Sequence, residues 1–176
     1  MIDFSRNHFE LFGLPASFAI DAGALDRAWR ELQAEVHPDR HAAADDASRR
    51  LALQASARVN EAYRTLKDPV ERGRYVLNLR GIDGFDETDT RLALAFLEAQ
   101  LERRERAAEA SEAGDVGALD DLVAEIRAES RERERELADL LAGAGDGARA
   151  TAVLREMRFL AKVAEDVSAM AEALDA

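Results

Sequence analysis

The chain has 176 residues, 34% of them charged and 47% apolar, with a formal net charge of −12 and no cysteine. The missing cysteines exclude disulfides, a thiol nucleophile and a thiolate metal site. The acidic balance argues against a nucleic-acid partner, because phosphates are bound by clustered Lys and Arg. No apolar run is long enough to span a membrane as a helix, and no apolar targeting segment opens the chain, so the expected location is the cytoplasm. Three prolines and an abundance of Ala, Leu, Glu and Arg predict an all-α protein. Residues 1–85 carry 13 acidic and 12 basic side chains, a net of −1, whereas residues 86–176 carry 23 and 12, a net of −11. So sharp a change predicts two modules.

Asn7 to Leu14 reads as a short helix with Phe9, Leu11, Phe12 and Leu14 apolar, ended by Gly13 and Pro15. Asp21 is the expected N-cap of a longer helix. Leu25, Ala28, Trp29, Leu32 and Val36 recur on one face of it, with Arg27, Arg30 and Glu31 opposite. This helix stops at His37-Pro38, since a proline pushes the preceding residue out of helical geometry. His37, Pro38, Asp39 and Arg40 then stand on a loop, offering an imidazole, a fixed bend, an acceptor-only carboxylate and a fork of donors.

After Asp45 a second long helix carries a stripe of Leu51, Ala55, Val59, Ala62, Tyr63 and Leu66, and Pro69 closes it. Two narrow stripes predict an antiparallel hairpin packed face to face, with Phe9, Phe12 and Leu14 filling its side. Val70 to Leu79 forms a shorter helix capped by Gly81. Residues 82–88 read as a linker, giving domains at 1–81 and 89–176.

Three helices are expected in the second module, over about Asp89–Ala113, Val116–Leu141 and Ala148–Leu174. The first has two apolar stripes, Leu92-Phe96-Ala99 and Leu94-Leu97-Leu101, so one of them is expected to face solvent. In the second, Leu119, Leu122, Val123, Ile126, Leu137, Leu140 and Leu141 are apolar. The alternating Arg131–Glu136 segment of that helix reads as a solvated face with small local ion pairs. The third, through Val153, Met157, Leu160, Ala164, Val167, Ala171 and Leu174, has the spacing of helix-on-helix packing. Phe159 falls about 100° from Leu160, a place that allows packing at the edge but also makes it a candidate exposed aromatic.

The stretches NHFELFGLP, LQAEVHPDR, ASARVNEAYRTLKDP and RYVLNLRGID resemble the HscB branch of J-domain proteins, the iron–sulfur cluster co-chaperones. His37-Pro38-Asp39 in a helical hairpin, followed by Asn60-Glu61-Ala62-Tyr63, carries the resemblance most strongly. The resemblance implies an N-terminal J domain and a C-terminal three-helix bundle. It also implies two partners, an HscA- or DnaK-type chaperone ATPase and the iron–sulfur scaffold protein IscU, with no cofactor and no catalysis by this chain. His37, Pro38, Asp39 and Arg40, with Arg27 and Arg30 on the preceding helix, are then the chaperone-binding residues. Leu97, Leu101, Glu102, Glu105, Glu109 and Phe159 are the scaffold-binding residues. This chain departs from the family in carrying Glu98, where a second large apolar residue often follows the leucine, and Arg40, where lysine is usual. Lacking an N-terminal cysteine segment and an organelle address, it resembles the short bacterial form. A general J-protein serving unfolded clients is the alternative. A metal site on His37 and His41 is disfavoured, because Pro38 breaks the helix that would give their spacing meaning.

Overall fold

The computed structural model of the chain describes residues 3–37, 45–82, 92–143 and 145–175. All regular structure among them is helical: α1 His8–Leu11, α2 Ala22–Val36, α3 Asp46–Lys67, α4 Pro69–Leu79, α5 Leu94–Ala113, α6 Val116–Ala142 and α7 Gly147–Asp175. The chain divides into two compact units, Met1–Leu79 and Arg80–Ala176.

Short polar side chains start most helices by accepting from the otherwise unpaired N–H groups of the first turn. Asn7 and Glu10 form a reciprocal capping box on α1. Asp21 accepts from the Ala24 N–H at 3.0 Å, Asp45 from Ser48 at 2.7 Å and Asp115 from Ala118 at 2.9 Å. Pro69 closes α3 as expected and also opens α4, at the first helical position, where its missing N–H costs nothing. Asp68 caps that helix through the Val70 and Glu71 amides.

In the first unit α2 and α3 pack as a hairpin with α1 on its side. Phe9, Phe12, Leu25, Val36, Val59, Ala62 and Leu66 are buried. Leu51, expected in the α3 stripe, is instead 47% exposed, and Ala52 takes the inner position. The buried series 52, 55, 59, 62, 66 has a strict three-and-four spacing that Leu51 misses by one residue, about 100° of rotation. Apolar burial has no direction, so polar contacts set the register of the pair. The Asn60 carboxamide oxygen accepts from the Trp29 indole N–H at 3.2 Å and from the Gln33 amide. Tyr63 stacks on Trp29 with ring centroids 4.6 Å apart and donates to Asp26 at 2.9 Å. Lys67 closes the set, donating to Asp26 at 2.7 Å. Hydrogen bonds from Lys67 and then from Tyr63 hold the Asp26 carboxyl below its ordinary range.

Two buried polar groups tie α4 in. Arg72 donates to the Leu66 carbonyl at 2.7 Å and lies over the Phe18 ring. His8 stacks on Tyr75 at 4.2 Å, and its backbone N–H donates to the Tyr75 hydroxyl oxygen. Burial, with help from the Arg58 charge, lowers the His8 pKa from its ordinary 6.5.

The second unit is a three-helix bundle. Phe96, Ala107, Leu119, Leu122, Val123, Ile126, Leu160, Val167 and Ala171 form its core. Arg80 donates to the Leu141 and Gly143 carbonyls and so caps the C-terminal end of α6. Ile82 sits against the start of α7. A Cβ on Gly147 would lie 2.8 Å from the Ile82 Cδ1.

Replacing Asn60 by Ala leaves two donors without their acceptor. It is expected to lower the stability of the first unit by about 1–3 kcal/mol, read in denaturant through the fluorescence of Trp29, the only tryptophan. The depressed His8 pKa means that the unfolded chain takes up the proton first. This stability contribution is therefore full above about pH 6.5 and is lost as pH falls below it, until the folded unit also binds the proton. A denaturation series between pH 8 and 5 checks this, with His8→Phe expected to flatten the profile.

Candidate functional site

The first candidate surface lies at the far end of α2. His37 is the C-cap residue of that helix, exposed, with φ −57° and ψ 128°. Such an extended ψ is what a following proline imposes. Pro38, Asp39, Arg40 and His41 lie outside the described residues. Arg27 and Arg30 are exposed on the same helix. Arg27 is held loosely by Asp21 at 3.8 Å, both side chains well solvated, a pair of little energetic value. Asp26, next to Arg27 in the chain, is turned toward α3, and its charge is offset by Lys67. Glu31 remains exposed beside the arginines. Among the described residues no group of His, Cys, Asp or Glu is placed to hold a metal ion.

The second candidate surface is the outer face of α5. The structure resolves which of its two stripes is inside: Phe96, Gln100 and Ala107 are buried, while Leu94 is 72%, Leu97 41% and Leu101 59% exposed. The helix begins at Leu94, later than expected, after the extended residue Ala93; residues 89–91 lie outside the described set. Glu98, Glu102, Glu105, Glu109 and Glu112 are all exposed and follow one another at four- and three-residue steps. They run along the same side as the leucines, one beside another.

The cations of α5 that engage neighbours point elsewhere. Arg103 pairs with Glu129, and Arg106 binds Glu125 through two contacts of 2.8 and 2.9 Å, both across to α6. The Arg106 hydrogen bond holds the Glu125 carboxyl below its usual range. Like charges four residues apart cost an isolated helix about 0.2–0.5 kcal/mol per pair. The acidic row therefore gives α5 nothing in stability, and burial of its opposite face holds the helix in place.

Phe159 is not the exposed aromatic that its offset from Leu160 suggests. It is half-buried at the edge of the core, its ring edge-on to Phe96 with centroids 5.8 Å apart. Its neighbour in space thus belongs to the inner stripe of α5, so Phe159 packs on the core side of that helix. The Arg131–Glu136 segment also departs from a plain solvated face. Arg133 reaches Glu129, Glu136 and the buried Glu156 of α7, and Arg149 reaches Glu136 and Glu156. Arg133 Nε lies 2.7 Å from Glu156 Oε2, yet neither atom has a partner in hydrogen-bonding geometry, so this is a charge contact. The group ties α6 to α7 and touches neither candidate surface. Local alternation of Arg and Glu carries no signal for it, because the buried acid comes from another helix.

With both surfaces placed, similarity to known proteins decides the family. The HscB homologue of Ralstonia nicotianae, named a co-chaperone protein, is 49% identical over 171 residues, 97% of each chain. The chain belongs to the HscB co-chaperone family. The HscB homologue of Burkholderia multivorans is also 49% identical, over 175 residues and 99% of each chain. Residues 93–168 match the HSCB C-terminal oligomerisation domain. Two solved HscB structures share the fold. The chaperone HscB from Vibrio cholerae has a TM-score of 0.85 at 35% identity, covering 96% of this chain and 99% of that one. Human co-chaperone HscB has 0.85 at 30% identity, covering 95% and 83%. The first unit is accordingly the J domain and the second the C-terminal HscB bundle. No helix among the described residues is long and apolar enough to cross a membrane.

The two classes of side chain on α5 and α7 separate by stability. Leu97→Ala and Leu101→Ala are expected to leave bundle stability within about 0.5 kcal/mol of the parent. Phe159→Ala is expected to cost about 1–3 kcal/mol through lost packing. Denaturation followed by circular dichroism checks both.

Proposed function

We propose that this HscB-family co-chaperone brings two proteins together. Its J domain stimulates ATP hydrolysis by an HscA- or DnaK-type chaperone, and its bundle delivers the iron–sulfur scaffold protein IscU to that chaperone, assisting cluster transfer. The observation that carries the reading is the pairing of an exposed His37, at the end of a firmly registered helix, with an α5 face that is apolar at one end and acidic at the other.

On the chaperone side, Asp39 accepts a charge-assisted hydrogen bond from an arginine of the ATPase. Pro38 fixes the bend, His37 supplies a donor or acceptor, and Arg40 adds positive charge. Arg27 and Arg30 steer the J domain toward an acidic patch, an attraction that weakens with salt. On the scaffold side, Leu97 and Leu101 form the apolar centre and Glu102, Glu105 and Glu109 the charged rim, an arrangement suited to a modest protein interface. Phe159 acts mainly by holding α5 through Phe96. The protein itself breaks no bond. Carrying both sites on one chain raises the local concentration of scaffold at the chaperone.

His37→Gln is expected to leave far-UV circular dichroism unchanged while removing stimulation of ATP turnover by the chaperone. Stimulation equal to the parent's would overturn the assignment of the loop. Leu97→Ala combined with Leu101→Ala is expected to weaken binding of folded IscU but to leave stimulation without scaffold intact. Preferential binding of denatured polypeptide over folded IscU would instead favour a general J-protein.

A further inference from the structure

We infer that the scaffold-contact face begins a full turn earlier than the residues assigned above, with Leu94 as a third apolar contact and Glu98 as a specificity-determining charge that meets a cation on the partner. The inference rests on the reading of α5 as the scaffold-binding helix and adds to it which part of the partner is read.

Leu94 is the most exposed large apolar residue among the described residues, at 72%. It stands three residues before Leu97 and seven before Leu101, so the three leucines form one row roughly 10 Å long. Among the described residues, nothing packs over it closely enough to bury it. A helix start ordinarily carries a polar cap and acidic residues, which satisfy free N–H groups and the dipole. Here residue 93 is alanine with no side-chain cap, and the first turn is Leu94-Ala95-Phe96-Leu97, of which only Phe96 is buried. The turn therefore gives up its own stabilisation and shows leucine to solvent, which is the pattern of a surface meant to be covered.

Glu98 follows Leu94 by four residues and precedes Leu101 by three, so it borders the leucine row on one side. It heads the row that continues through Glu102, Glu105, Glu109 and Glu112. Arg103 and Arg106, which engage α6, are turned away from that row, and the exposed Arg104 borders the leucines on the side opposite Glu98. The occupant with complementary chemistry is a folded protein surface presenting a shallow apolar strip bordered by Lys or Arg. Glu98 places one of those cations beside the strip, next to Leu94 and Leu101, and the remaining acids line its continuation. A scaffold with an apolar residue at that point would leave the carboxylate without a partner in the interface, which makes Glu98 a selector against such partners.

The test is calorimetric titration of purified, folded IscU into the full-length parent, Leu94→Ala, Glu98→Gln and Leu101→Ala, each at low and high salt. All three positions are exposed, so melting curves matching the parent's are expected. Leu94→Ala is expected to weaken binding about tenfold at either salt concentration. Glu98→Gln is expected to weaken it about threefold at low salt, with the difference disappearing at high salt. If Leu101→Ala weakens binding while Leu94→Ala and Glu98→Gln match the parent, the face ends at Leu97 and this inference is wrong while the scaffold reading stands. If Leu101→Ala also binds like the parent, the scaffold reading of α5 falls and the inference falls with it.

Discussion

A single carboxamide oxygen, that of Asn60, fixes how the J-domain hairpin is assembled. It receives the Trp29 indole and the Gln33 amide from two successive turns of α2. Apolar stripes alone would allow two helices to slip along each other, because burial is indifferent to the direction of contact. Two donors converging on one acceptor do not allow that slip without leaving polar groups unpaired. Tyr63 and Lys67 repeat the constraint a turn later through Asp26. The axial position of α2 is thereby set, and with it the place where the helix ends at His37. The end of the helix is thus fixed by contacts made well away from it.

Much of this was legible in the residues. The capping side chains Asn7, Asp21, Asp45 and Asp115 stand where their chemistry demands, and the proline after His37 sets the end of α2. What escaped was information that neighbours in space supply. Leu51 obeys an α-helical stripe as well as Ala52 does, and only the facing helix chooses between them. Phe159 is offset from the inner row of its own helix, but Phe96 of α5 comes over it. Arg133 reads as one member of a solvated run until the buried Glu156 is set opposite. Asn60 was visible as part of a motif, yet its role as an acceptor depends on two side chains about thirty residues away. The site loop itself beyond His37 lies outside the described residues, so sequence remains the source for Pro38, Asp39 and Arg40.

In the bundle, α5 turns two of its arginines and its buried stripe toward the other helices and leaves its leucines, its glutamates and Arg104 exposed. The α5 arginines at 103 and 106 reach across to α6 acids, while its glutamates line the opposite side. The arrangement explains why the helix carries two apolar stripes instead of one. Phe96 and Ala107 serve folding, and the leucine row stays exposed. The larger negative charge of the C-terminal half thus has a structural address, although most of its acids serve ordinary solvation or local pairing.

The seat of Ile82 against Gly147 narrows what the bundle can tolerate at its last helix. Alanine is normally the safer residue for a helical position, since glycine loses more backbone freedom on folding. Here a methyl group would come within 2.8 Å of the Ile82 Cδ1, so part of the usual gain in order is offset by moving that flexible tip. A hydrogen atom in place of a side chain leaves room for the tip of Ile82 where it now rests, and a change made for heat resistance on propensity alone would first have to turn that tip aside.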